Sequence, residues 1–147
     1  MNRQTGRRAD GQGAIGIRRQ MLWTKAQEFA SEVAEMVVSL PRDRATDVLC
    51  NQLLRSATSI SANIAEGYGR FSQAAYRNHL SIARGSAVES ESWLDLLQRR
   101  DYITNERCEA MIAKCDELQR LLTLRMKSLT DGKTYALREE ADEPYHV

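Results

Sequence analysis

The chain has 147 residues, 42% of them hydrophobic and 28% charged, with a formal net charge of +1. That is enough for one domain with a real core and an ordinary globular composition. It excludes a membrane-spanning class, since no apolar run approaches the roughly 18–20 residues a span needs. The near-neutral sum hides an asymmetry. Residues 1–25 carry six basic side chains against Asp10, residues 131–147 carry two against five acids, and the middle is close to neutral.

Residues 1–20 are rich in Gly, Gln and Arg and poor in apolar side chains, the composition of a disordered basic arm. No apolar h-region follows the basic start, so no secretory signal is expected, and a cytoplasmic location follows. A first helix is expected over 22–40. Leu22, Ala26, Phe29, Ala30, Val33, Val37 and Leu40 recur at three- and four-residue steps, and Pro41 stops the run. A second helix is expected over 43–66, with Leu49, Leu53, Ala57, Ile60 and Ile64 as its stripe and Ser56 inside it. Gln52, Ser59, Asn63 and Glu66 run along its edge as a polar seam. Gly67 or Gly69 is expected to close this helix in the left-handed conformation.

A third helix is expected from Ser72 or Gln73 to Arg99 or Arg100, with Ser72 as its cap. Tyr76, Leu80, Ala83, Ala87, Ser90, Leu94 and Leu97 share one face. A second face, about 90° away at roughly 100° per residue, holds Ala75, His79, Ile82, Ser86 and Trp93. A helix in a monomeric bundle needs only one buried stripe, so this second face points to an oligomer interface through His79, Ile82, Ser86 and Trp93. A fourth helix is expected over 105–129, capped by Thr104, with a stripe of Cys108, Met111, Ile112, Cys115, Leu118, Leu122, Met126 and Leu129. An acidic flexible tail follows over 131–147. Four amphipathic helices with short connections specify an all-α, antiparallel up-down-up-down four-helix bundle over 21–130.

Little points to catalysis. The three cysteines, Cys50, Cys108 and Cys115, form no Cys-x-x-Cys pair and read as small buried hydrophobes. Two distant histidines cannot complete a metal site, and no Glu-x-x-His repeat is present. No metal, cofactor or enzymatic activity is expected. Ser59, Asn63 and Glu66 read as a structural polar network, with a ligand site or a subunit contact as alternatives. Gly67-Tyr68-Gly69 joins two helices and reads as a turn, not a phosphate cradle. Arg70, Arg77 and Arg84 are seven apart, and no acid occurs between Gly67 and Val88. They form a candidate ladder for a phosphate backbone, which Arg55 joins if the second helix packs alongside. A solvated or ion-paired face is the alternative.

Several motifs in this order carry a family resemblance. They are Leu22-Trp23-Thr24-Lys25-Ala26, Gln52-Leu53-Leu54-Arg55-Ser56-Ala57, Ser59-Ile60-Ser61-Ala62-Asn63-Ile64-Ala65-Glu66-Gly67 with Gly69-Arg70 and Ser72, and Leu80-Ser81-Ile82-Ala83-Arg84-Gly85-Ser86. The chain resembles the bacterial four helix bundle proteins, also called 23S ribosomal RNA intervening-sequence proteins, over about 22–129. That resemblance implies a small cytosolic bundle, usually a homopentamer, whose molecular role is poorly defined. A distantly similar protein is the accessory variability determinant of diversity-generating retroelements, a basic pentamer that binds nucleic acid and a reverse transcriptase. The partners implied are other copies of this chain, RNA or DNA, and a nucleic-acid-processing protein, with no membrane. A protein-interaction scaffold without nucleic acid is the alternative.

Overall fold

A computed structural model describes residues 16–130, in which four helices and no strand occur. Helix α1 spans Met21–Val38, α2 Arg44–Tyr68, α3 Gln73–Arg99 and α4 Asn105–Thr130. The expected arm and tail lie largely outside the described residues. Ile17–Arg19 forms a single 3-10 turn before α1. Ile17 packs against the core and Gln20 is buried, so the described chain joins the bundle a few residues before position 21.

Three helices start on side-chain caps of one kind. Asp43 accepts from the Thr46 amide at 2.9 Å, Ser72 from the Ala75 amide at 3.0 Å and Thr104 from the Arg107 amide at 3.1 Å. Each satisfies a backbone donor that the first helical turn leaves without a partner. Helix α3 ends in a Schellman turn. The Tyr102 amide donates to the Leu97 carbonyl and the Asp101 amide to the Gln98 carbonyl, both at 2.9 Å. Asp101 takes the left-handed position, at φ 59°, where glycine is usual but a short polar side chain is tolerated.

The four stripes meet in one core of Phe29, Val33, Leu53, Ile60, Ile64, Leu80, Leu94, Leu97, Leu118 and Leu122 among others. Helix α2 packs on α3 through pairs such as Ser56 with Ser90 and Asn63 with His79. Helix α3 meets α4 through Arg84 with Thr123 and Glu91 with Gln119. Helix α1 meets α4 through Lys25 with Glu117 and Glu32 with Lys114. At the centre of the α2–α3 seam the Ser56 and Ser90 hydroxyls lie 2.9 Å apart. Each hydroxyl also lies within reach of a carbonyl of its own helix, Leu53 for Ser56 and Ser86 for Ser90, so one serine donates across the seam and the serine that accepts donates to its carbonyl. Both side chains are fully buried, and these bonds satisfy them there.

The glycines behave differently from expectation. Helix α2 runs on through Gly67 to Tyr68, and Gly69 caps it in the right-handed region at φ −78°. No left-handed glycine closes α2; the turn is Gly69 to Ser72. Gly67 is instead a buried contact point with α3. A Cβ there would lie 2.7 Å from His79 Cβ and 2.9 Å from Tyr76 Cδ2, closer than packed atoms tolerate. Gly85, in the middle of α3, has nothing within 4 Å of such a Cβ. Gly67→Ala is therefore expected to destabilise the fold by up to about 2 kcal/mol. Overpacking costs about 1–3 kcal/mol, against a helix-propensity gain of about 1 kcal/mol. Gly69→Ala, whose nearest atom would be 3.6 Å away, is expected to be neutral or mildly stabilising. Urea-unfolding midpoints of the two variants check the difference.

Candidate nucleic-acid interface

The structure divides the candidate arginines between two flanks of α3. On the flank facing α2, Arg55 donates from Nη2 to both carboxylate oxygens of Glu89, at 2.8 and 2.7 Å. Arg70 lies in the turn before α3, not on it, and pairs back to Glu66 on α2 at 2.7 Å. The three-rung ladder thus reduces to two rungs within α3, Arg77 and Arg84, on the flank facing α4. Arg55 packs against α3 on the opposite side and does not join them. Arg77 has no hydrogen-bond or ion-pair partner among the described residues. Arg84 donates from Nε to the neutral Thr123 hydroxyl at 3.0 Å, which leaves its charge uncompensated by that contact.

Helix α4 completes this flank. Arg84, Ala113, Asp116, Gln119, Arg120 and Thr123 line an open cleft of about 710 Å³. Arg120 lies outside the α4 stripe, so its spacing alone does not mark it. Only the packing of Gln119 and Thr123 toward α3 shows that it shares a surface with Arg84. The cleft also borders an acidic contact. Glu91 on α3 accepts from Gln119 Nε2 at 2.8 Å, and Asp116 lies one turn before Gln119 on α4. Partial burial and the facing Asp116 push the Glu91 carboxyl up to about 7, since two carboxylates in contact resist joint ionisation.

The polar seam and the second face of α3 form one network on the α2 flank. Asn63 donates to the Ser59 carbonyl at 2.8 Å and accepts from His79 Nδ1 at 3.3 Å. Glu66 lies 3.9 Å from His79 Nδ1 and holds Arg70. The apolar patch expected around this network is smaller than the sequence implies. The His79 side chain is only 16% exposed. Trp93 is half-buried against the core, with its indole N–H buried and without a partner. Ser86 is half-buried, and Ile82 is 47% exposed. Folding α3 against the edge of α2 covers much of what a helical wheel leaves open.

Two further residues stand outside the candidates that the spacing marks. Arg125 is buried on α4, with its guanidinium 5.7 Å from the centre of the Tyr76 ring, a cation–π distance. Its place among leucines at helical spacing was the available signal. Phe71 is fully exposed in the turn between α2 and α3, beside the candidate Arg70. Among the described residues, no group of three or more His, Cys, Asp or Glu side chains is placed to hold a metal ion, and no helix is long and apolar enough to cross a membrane.

Comparison with known proteins gives one family. The model of the 23S rRNA-intervening sequence protein family matches residues 18–124. A solved structure from Bacteroides thetaiotaomicron VPI-5482, described as a protein with unknown function from the S23 ribosomal protein family, is similar at 36% identity and a TM-score of 0.70. The match covers 76% of this chain and 99% of that chain. No curated protein matches.

The Glu91 contact has a consequence for stability. Its carboxyl binds a proton more tightly in the folded chain than in the unfolded one, where the ordinary value is 4.5. The stabilisation is fully present below that value and is lost as pH rises through about 7. Glu91→Gln, a neutral mimic of the protonated acid, is expected to raise stability at about pH 8 by about 1 kcal/mol after solvent screening. Near pH 4 it should change little. Thermal unfolding of both proteins across pH checks this.

Proposed function

Because the chain belongs to the 23S rRNA-intervening sequence protein family, we propose that it is a non-enzymatic accessory factor. In this reading an antiparallel up-down-up-down bundle assembles into a cytoplasmic homo-oligomer, a pentamer by the family resemblance, and meets RNA or DNA along the α3–α4 flank. Opposite numerical trends in the contacts support the antiparallel course: Asn63 with His79 and Ser56 with Ser90, then Arg84 with Thr123 and Glu91 with Gln119.

The observation that carries the nucleic-acid reading is the contrast among the arginines. Arg55 and Arg70 are held by carboxylates. Arg77 has no partner among the described residues, Arg84 bonds a neutral hydroxyl, and Arg120 shares its cleft. Guanidiniums without carboxylate partners suit a phosphate backbone. Phe71, exposed near the α2–α3 turn, adds an aromatic platform of the kind that unpaired bases stack on. A nucleic-acid-processing protein as further partner belongs to the same reading, by the distant similarity to the retroelement accessory protein.

Labelled single-stranded RNA and DNA, titrated with the protein across salt, test this. Arg77→Glu with Arg84→Glu is expected to weaken binding at least about tenfold and to shrink the salt slope by about 1.4, roughly 0.7 for each phosphate lost on a single strand. Binding unchanged in the double variant, or no binding by the wild type at low salt, would overturn it.

The scaffold reading draws on the other flank. Ile82 is 47% exposed beside the Asn63–His79 network, and an isologous or ring contact would cover it. Ile82→Asp is expected to shift the protein to monomer in light scattering. A wild type that is already monomeric would sink the assembly part alone.

A further inference from the structure

The cleft on the α3–α4 flank is not purely basic. Arg84 and Arg120 line it against the carboxylate of Asp116, beside Ala113 and Leu124. Leu124 is 52% exposed. A phosphate backbone makes no use of a bare leucine, whereas a peptide that mixes acids with apolar side chains meets both parts of the cleft. Residues 131–147, beyond the described part of the chain, have that mixture. Asp131, Glu139, Glu140, Asp142 and Glu143 outnumber Lys133 and Arg138, with Tyr135 and Leu137 among them. The arginine-rich residues before α1 carry the same sign as the flank and are repelled by it.

This acidic segment also starts in the right place. Helix α4 ends at Thr130. On the antiparallel course proposed above, Thr123 meets Arg84. Thr130, seven residues further along α4, is then level with Arg77, seven residues earlier on α3. Arg77 has no partner among the described residues. Arg120 lies ten residues before Thr130, about 15 Å at 1.5 Å per residue, and Leu124 lies between them. Glu140 follows Thr130 by ten residues, a length of chain that reaches up to about 36 Å. The acids at 139–143 can therefore double back over the cleft.

We infer that the acidic segment 131–147 docks on the α3–α4 flank of its own chain, with Leu124 as its apolar seat, and holds nucleic acid off until it is displaced. The docking is read from the surface itself; its effect on nucleic acid rests on the reading of this flank as a phosphate surface. The segment is joined to α4 beside the arginines and acts on them at an effective concentration on the order of mM. Arginine–carboxylate contacts that are individually weak then suffice to fill the flank.

The test uses the full chain carrying Glu139→Gln, Glu140→Gln, Asp142→Asn and Glu143→Gln. A fluorescent synthetic peptide of residues 131–147 is titrated with it, and binding is read by anisotropy at constant low salt. The peptide is expected to bind this variant at least about tenfold more tightly than the wild type, whose flank is filled by its own segment. Unlabelled poly(U) should displace it. Leu124→Ser, at an exposed position, should weaken peptide binding to the variant about fivefold and leave poly(U) binding to the variant unchanged. In the otherwise wild-type chain the same substitution should tighten poly(U) binding. A peptide bound by neither protein, or equally by both, overturns the docking and leaves the phosphate surface standing where poly(U) binds. Poly(U) bound by no protein, with the peptide bound as expected, overturns the phosphate surface and the exclusion of nucleic acid with it. Peptide uptake by the wild type that appears only on dilution assigns the segment to a second copy and overturns the contact within one chain.

Discussion

Helices α2 and α3 approach so closely at Gly67 that a methyl group there would overlap the Cβ of His79. Much of what the surface can do depends on this approach. It sets the rotation of α3 about its own axis and brings His79 to Asn63 and Glu66. Further along the seam it lets Ser56 and Ser90 meet in a fully buried hydroxyl pair. The same rotation turns Arg77 and Arg84 away from α2 and toward α4, where no carboxylate pairs with either. Small residues at a helix contact thus determine which cations are neutralised and which stay available.

The architecture was largely legible, because apolar stripes at helical spacing and three side-chain caps each have a local cause. Asp43, Ser72 and Thr104 need only the backbone three residues on. What could not be read locally depends on two helices at once. Glycine near the end of a helical pattern has two physical uses, a left-handed cap and a close approach, and only the position of Tyr76 and His79 decides for the second at Gly67. The ladder of arginines failed for a similar reason. Spacing of seven placed Arg70 in line with Arg77 and Arg84, but α3 begins at Gln73, so Arg70 belongs to the turn. Arg120 and Asp116 carried no mark of their own until α4 was set beside α3.

The two flanks of α3 differ in how their charges are arranged. Toward α2, cations and carboxylates alternate and close on one another: Arg55 with Glu89, Arg70 with Glu66. These exposed pairs add little to stability, about 0–1 kcal/mol each, yet they leave that flank electrically quiet and fit for contact with a like surface. Toward α4, charges of one sign meet: Arg84 near Arg120, Glu91 near Asp116. Like-charge contacts cost stability and respond to their surroundings, as sites that bind or titrate commonly do.

The cysteines lend the fold an internal clock. Cys50 on α2 and Cys108 and Cys115 on α4 are free and buried, and burial pushes all three thiols up from their ordinary value. Reaction with an alkylating reagent needs a thiolate in contact with solvent. It can proceed only when the helix that carries the sulfur parts from its neighbours. Because α1 and α3 carry no cysteine, the rates of modification at Cys50 and at the α4 pair separately time the opening of α2 and of α4, with no label introduced.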